Sequence, residues 1–320
     1  MTTFLGYFDQ PNPGVAARME ESMGLGFRAI RLNYGFNDFE GKPKGGGKYL
    51  DKEYDRILAR WGYAPRGFWN MNLEPPLTFG VVAAGQADDV LIARAQLIRD
   101  NPRWTHDHPL FVSPHHEQSV DTHRIYAPDD PQYDDQPGGG DPADYPAFFK
   151  RVYDVFAQEG VLRNQGGSVM LCFVGTAPQF YPVEKLPKWK QPWHMTAIAP
   201  DPKHYAYTGT DIYSKPDYKR PDARDLDYVN AWAASVGKKY VIGECGASMS
   251  DTPGQQAGWI KDVHQRIKSH GTKDGPGSCN MVAWTFKDFG DSTSTRVDTD
   301  PTSMAAFTEL AKDPAFQRKV

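Results

Sequence analysis

Two glutamates stand where short apolar runs give way to loops. Glu117 follows Pro109-Leu110-Phe111-Val112-Ser113 and closes Pro114-His115-His116-Glu117, and Glu244 closes Lys239-Tyr240-Val241-Ile242-Gly243-Glu244. Two carboxyl groups flanking one bond can divide the work of breaking a glycosidic link. One, protonated, gives its proton to the leaving oxygen, and the other, ionised, attacks the anomeric carbon. When two such carboxyls stand about 5–5.5 Å apart the reaction retains configuration. Neighbouring runs also end in polar or aromatic groups that could hold a hydroxyl-rich ligand. These are Asn72 in Asn70-Met71-Asn72-Leu73-Glu74, Tyr213 in Thr210-Asp211-Ile212-Tyr213, and Trp284 in Ala283-Trp284-Thr285-Phe286, whereas Asp211 reads as a cap or brace of the strand-six turn.

Other reactive types read as structure. Cys245 adjoins Glu244, but a thiol nucleophile needs a nearby base and none is signalled, so it reads as a small packing residue. The His106-Asp107-His108 triplet lies in a loop entering the strand that ends at Glu117, the wrong end of a barrel for catalysis, and reads as solvated loop. The acidic residues Asp129, Asp130, Asp134, Asp135 and Asp141 lack the regular ligand spacing of a calcium loop. Gly45-Gly46-Gly47-Lys48 lacks phosphate-loop spacing and follows no strand. No metal and no organic cofactor are called for.

The elements that must position these groups alternate along the chain. Eight strand-like runs are expected: Phe4–Phe8, Phe27–Leu32, Gly67–Met71, Pro109–Ser113, Val169–Val174, Tyr205–Tyr213, Lys239–Gly243 and Asn280–Trp284. Helix-period stretches separate most of them. In Tyr145–Gln158 the apolar residues Phe148, Phe149, Val152, Val155 and Phe156 form one stripe, and Val90, Leu91, Ala95 and Ile98 do the same in Ala87–Arg99. No clear helix is signalled in the Pro- and Trp-rich stretch 179–203. Strands alternating with helices predict a parallel sheet, and eight of them within 320 residues predict a single-domain (β/α)8 TIM barrel over 1–320. An open doubly wound sheet is the rival, but the chain has no glycine-rich first turn of the dinucleotide type. Long βα loops are expected to wall a cleft. The loop 118–142 holds His123, Arg124, Tyr126 and Tyr133, and Tyr181, Trp189 and Trp193 follow strand five.

Composition narrows the partners. With 36 Lys+Arg against 40 Asp+Glu the net charge is −4, which gives no general pull toward nucleic acid or anionic lipid. No segment reaches the roughly 18 apolar residues of a membrane span. The first residues lack the basic region and apolar run of a signal peptide. Three cysteines, Cys172, Cys245 and Cys279, are an odd number without metal-type spacing, as expected in a reducing compartment.

The motifs together resemble clan A of the glycoside hydrolases, and within it most closely family 26, the mannanase-type endo-glycosidases. The resemblance rests on His115-His116-Glu117, on Tyr240-Val241-Ile242-Gly243-Glu244-Cys245-Gly246 and on Gly209-Thr210-Asp211-Ile212-Tyr213. The tail from Arg296-Val297-Asp298 through Ala305-Ala306-Phe307 to Asp313-Pro314 is similar to that of bacterial members. The resemblance implies that Glu117 is the acid/base and Glu244 the nucleophile of a retaining enzyme acting on a β-linked polysaccharide. It implies that His116 bonds near the sugar or orients the catalytic pair, that Tyr213 hydrogen-bonds the nucleophile, and that Trp284 is the sugar platform. His115 is either a site residue or structural, and Asn72, Trp189 and Trp193 complete the expected binding set. The chain departs from the family after the acid/base, where a Met-Asn pair is usual and Gln118-Ser119 stands here. A glycan-binding barrel without catalysis and a metal-dependent deacetylase on the same scaffold are the rival readings. The first would tolerate loss of either glutamate, and the second would need a His/Asp cluster.

Overall fold

The computed structural model describes residues 4–8, 15–35, 46–73, 77–118, 140–214, 223–247, 254–270, 275–285 and 295–316. Glu74, Ser119 and the loop residues His123, Arg124, Tyr126, Tyr133, Asp129, Asp130, Asp134 and Asp135 lie outside them. The side chain of Trp189 lies outside them as well.

The strands are β1 (Phe4–Phe8), β2 (Ala29–Gly35), β3 (Arg66–Asn72), β4 (Leu110–Pro114), β5 (Val169–Thr176), β6 (Tyr207–Ser214), β7 (Lys239–Ala247) and β8 (Cys279–Thr285). They close into a barrel in sequence order, parallel throughout, which is the (β/α)8 architecture expected. The helices are α1 (Val15–Met23), α2 (Gly46–Trp61), α3 (Phe79–Ala83), α4 (Asp88–Arg99), α5 (Tyr145–Gln158), α6 (Met195–Ile198), α7 (Leu226–Ser235), α8 (Gln255–Ser269) and α9 (Pro301–Lys312). Among the described residues no helix is long and apolar enough to cross a membrane.

Local chemistry accounts for the boundaries. In α5 the expected stripe of Phe148, Phe149, Val152, Val155 and Phe156 is buried, together with Tyr145. The start of α9 is fixed by Asp300, whose side chain accepts from the backbone N–H of Thr302 and Ser303, with Pro301 in the first turn. Strand β6 begins at Tyr207, two residues later than expected, because the ring of Tyr205 turns into a cluster with Phe149 and Phe173. The Pro- and Trp-rich stretch forms short 3₁₀ turns at Ala177–Phe180, Val183–Lys185, Lys188–Trp193 and Pro202–His204, with four-residue α6 among them. Prolines at 178, 182, 187, 192 and 202 remove the N–H groups a longer helix would need.

Contacts divide the chain into two compact units. One comprises residues 1–32, 50–66 and 209–320, the other 33–49 and 67–208. In the first, Phe307 of α9 packs on Phe27 and Trp284, with ring centroids 6.2 and 5.2 Å away, and Trp259 of α8 lies 5.6 Å from Trp284. A fully buried acid, Glu20, ties α1 to its neighbours by accepting from the N–H of Phe27 at 2.9 Å, from Trp61 Nε1 at 3.3 Å and from Arg56. In the second unit, Phe79 sits 5.0 Å from the rings of His115 and Tyr145 and 5.1 Å from Phe148. Each such ring pair adds about 0.5–1.5 kcal/mol beyond the area it buries.

Candidate active site

Strand β7 carries Glu244 in the first unit. Its carboxylate is 3% exposed and lies 3.1 Å from Arg31 Nη2 of β2. The same guanidinium makes a forked pair with Asp211 of β6, Nη1 to Oδ1 at 3.1 Å and Nη2 to Oδ2 at 3.2 Å, and neither of those side chains is exposed at all. Tyr213, two residues along β6 and on the same face, donates from its hydroxyl to Glu244 Oε2 and lies 3.0 Å from Thr285 Oγ1 of β8. Two glycines make room. A Cβ on Gly243 would stand 2.6 Å from Asp211 Oδ1 and 3.1 Å from Arg31 Nη1, and one on Gly246 would stand 3.0 Å from the Tyr213 ring. Breaking such a buried ion group by removing one member costs about 3–5 kcal/mol, because a charge is left without compensation. Cys245 is fully buried, and burial pushes its thiol well above the ordinary value, so it packs rather than reacts.

Strand β4 leads to Glu117 in the second unit. Both His115 and Glu117 have φ of 52°, the left-handed region that costs a non-glycine residue about 1–3 kcal/mol. Their surroundings hold them there. The His115 N–H bonds Met71 O at 2.9 Å, and its ring Nδ1 accepts from the Leu73 N–H at 3.0 Å. His115 is thus a fully buried clamp between β3 and β4, wedged edge-on to Phe79. The His116 ring is held by Asn72, with Nδ1 2.7 Å from Asn72 Oδ1, and its Nε2 lies 3.9 Å from Glu117 Oε2. Asn72 therefore orients His116. The Glu117 side chain is 25% exposed, open enough to meet a ligand.

Two aromatic expectations fail. Trp284, expected as a sugar platform, is fully buried between Trp259 of α8 and Phe307 of α9. Side chains alternate along a strand, so the residue that turns toward Tyr213 is the next one, Thr285, and Trp284 faces the helices. Trp193, expected on the cleft rim, is also fully buried, 6.2 Å from the Phe79 ring, and its carbonyl accepts from Gln179 Nε2 at 2.9 Å.

Sequence reasoning passed over Arg31, although a charge inside the apolar run Ala29-Ile30-Arg31-Leu32 was the available signal. It also passed over Lys190, on the 3₁₀ turn Lys188–Trp193. Burial holds this ammonium below its ordinary value, and the negative field of Glu117 offsets part of that. No pattern in the sequence announces that pairing.

No family model and no curated protein matches the chain by sequence. Solved structures align over nearly all of it. The catalytic domain of a Bacillus family 26 endo-β-1,4-mannanase is 13% identical with a TM-score of 0.63, covering 98% of this chain and 86% of that one. A modular endo-β-1,4-mannanase from Cellulomonas fimi is 16% identical with a TM-score of 0.63, covering 100% of this chain and 74% of its own. An endo-β-1,4-glucanase from Xanthomonas axonopodis pv. citri, carrying three substitutions, is 12% identical with a TM-score of 0.58, covering 97% of this chain and 99% of its own. At these identities the likeness is one of fold: the chain has the barrel on which these family 26 mannanases and this glucanase are built.

Proposed function

We propose that the protein is a retaining glycoside hydrolase that cuts β-glycosidic bonds within a polysaccharide, with a β-1,4-mannan or a related β-glycan as substrate. Glu117 gives its proton to the leaving glycosidic oxygen while Glu244 attacks the anomeric carbon, forming a glycosyl-enzyme. Glu117 then takes a proton from water, and that water releases the sugar and restores the Glu244 carboxylate. The observation that carries the reading is the contrast between the two acids. Glu244 is buried against the Arg31 guanidinium and the Tyr213 hydroxyl, a setting that favours a fixed, charged nucleophile. Glu117 is partly open beside the His116 ring, a setting that suits a group trading protons with substrate and water. Glu117 follows the end of β4 and Glu244 lies in the last part of β7, toward the strand ends at which enzymes of this fold carry their catalytic groups. The fold likeness to two mannanases and a glucanase supports an endo-acting enzyme.

The test is a polysaccharide panel with product anomers followed by NMR, using the wild type, Glu117→Gln and Glu244→Gln. Products should first appear as the β-anomer, and each variant should stay folded while losing at least about a hundredfold in kcat. First-formed α-anomer refutes the double displacement. A variant that turns over at the wild-type rate refutes the assignment of its glutamate. Glycan binding without any product favours the non-catalytic barrel.

A further inference from the structure

The geometry points to Gln118 and Tyr145 as positioning residues that hold Glu117 in its left-handed backbone conformation, and so aim the acid/base; the role in catalysis rests on the function proposed above. Gln118 stands where the resemblance leads one to expect a methionine beside the reacting sugar. Instead its side chain is fully buried and turned back into the fold. Its Nε2 lies 3.0 Å from His115 O, 2.8 Å from Val174 O of β5 and 2.8 Å from the Tyr145 hydroxyl, so three acceptors surround two hydrogens. On the other side, Gln179 Nε2 reaches Gln118 Oε1 at 3.4 Å.

Tyr145 begins α5, and its hydroxyl lies 3.1 Å from both Pro114 O and His115 O. Burial pushes this phenol far above its ordinary value, against the pull of the Gln118 amide, so it keeps its proton and remains a donor. These two side chains satisfy the last carbonyl of β4 and the one after it, at the point where the chain turns through two left-handed residues, His115 and Glu117. Buried carbonyls left without such donors would each forfeit a hydrogen bond with no water to replace it. That loss adds to the strain of the turn, so without the clamp the turn has reason to relax into an ordinary conformation. Relaxation would swing the Glu117 carboxyl away from the leaving oxygen.

The test uses Gln118→Met, which keeps the volume and removes both donors, and Tyr145→Phe, which keeps the ring and removes one. Crystal structures of both variants read the Glu117 backbone directly. Turnover is then measured on β-1,4-mannan and on 2,4-dinitrophenyl β-mannobioside, with and without azide. On mannan, kcat should fall about tenfold to a hundredfold, with KM within about twofold of wild type. The dinitrophenolate leaves without protonation, so the first step on that substrate is spared and a burst precedes slow hydrolysis. Azide needs no general base, so it should restore turnover and yield a β-glycosyl azide. A Glu117 φ that stays near its present value in both variants overturns the clamp. So does an equal loss on both substrates that azide does not relieve. If Gln118→Met fails to fold, Tyr145→Phe gives the same readouts. If Glu117→Gln proves as active as wild type, the acid/base reading falls, and the backbone measurement still decides whether the clamp exists.

Discussion

Glu244 and Glu117 are held by different physics. Glu244 meets a guanidinium at 3.1 Å and a phenol, and the guanidinium is itself forked onto a second buried acid. Glu117 sits beside an imidazole at 3.9 Å, and the turn that carries it is braced from behind by a neutral amide and a neutral phenol. Charge fixes the first group and backbone shape the second. An ionic setting tolerates no proton exchange without a large energetic penalty, which suits an acid that must stay charged. A neutral brace behind the turn leaves the Glu117 carboxyl, which lies in reach of the Lys190 ammonium, to take its precision from the backbone.

The contrast can be broken by removing one support at a time. Asp211→Asn should have the largest effect, lowering stability by about 3–5 kcal/mol in urea denaturation, because the Arg31 charge loses a buried acid partner. A loss below about 1 kcal/mol would mean that water reaches this group and that Glu244 is not charge-held. Tyr213→Phe should come next, reducing kcat about tenfold to a hundredfold, or roughly 1.4–2.8 kcal/mol, with KM nearly unchanged. Steady-state kinetics check this, and a kcat close to wild type would mean that the Tyr213 hydroxyl does not tune the nucleophile. Trp284→Phe should have the smallest effect, a stability loss of about 1–2 kcal/mol with no change in KM, because the ring packs between α8 and α9. A rise in KM would return this tryptophan to the sugar.

The barrel was legible because period-two and period-3.6 patterns depend on local residue type. The stripe in Tyr145–Gln158 and the run at Lys239–Gly243 lie where the pattern puts them, although β7 continues to Ala247. The bonding of Tyr213 to Glu244 is expected from the resemblance and present in the structure, and Asn72 gains a definite task in holding His116. What stayed hidden is pairing and direction. A one-residue step decides whether Trp284 or Thr285 faces Tyr213, and composition is blind to such a step. Arg31 and Asp211 are 180 residues apart along the chain, and only the folded barrel joins them. Gln118 read as an odd residue near a sugar, because its partners Tyr145 and Val174 lie in other elements.

Gly243 offers a way to recognise other chains built on the same site. A Cβ there would press on the buried Arg31–Asp211 pair, so the glycine before Glu244 is a record in one strand of an ion pair made by two others. Arg on the second strand, Asp-x-Tyr on the sixth and Gly-Glu on the seventh then form one structural unit. In barrels that use this unit those five letters should be kept or lost together, and could serve as a search pattern where overall identity is low.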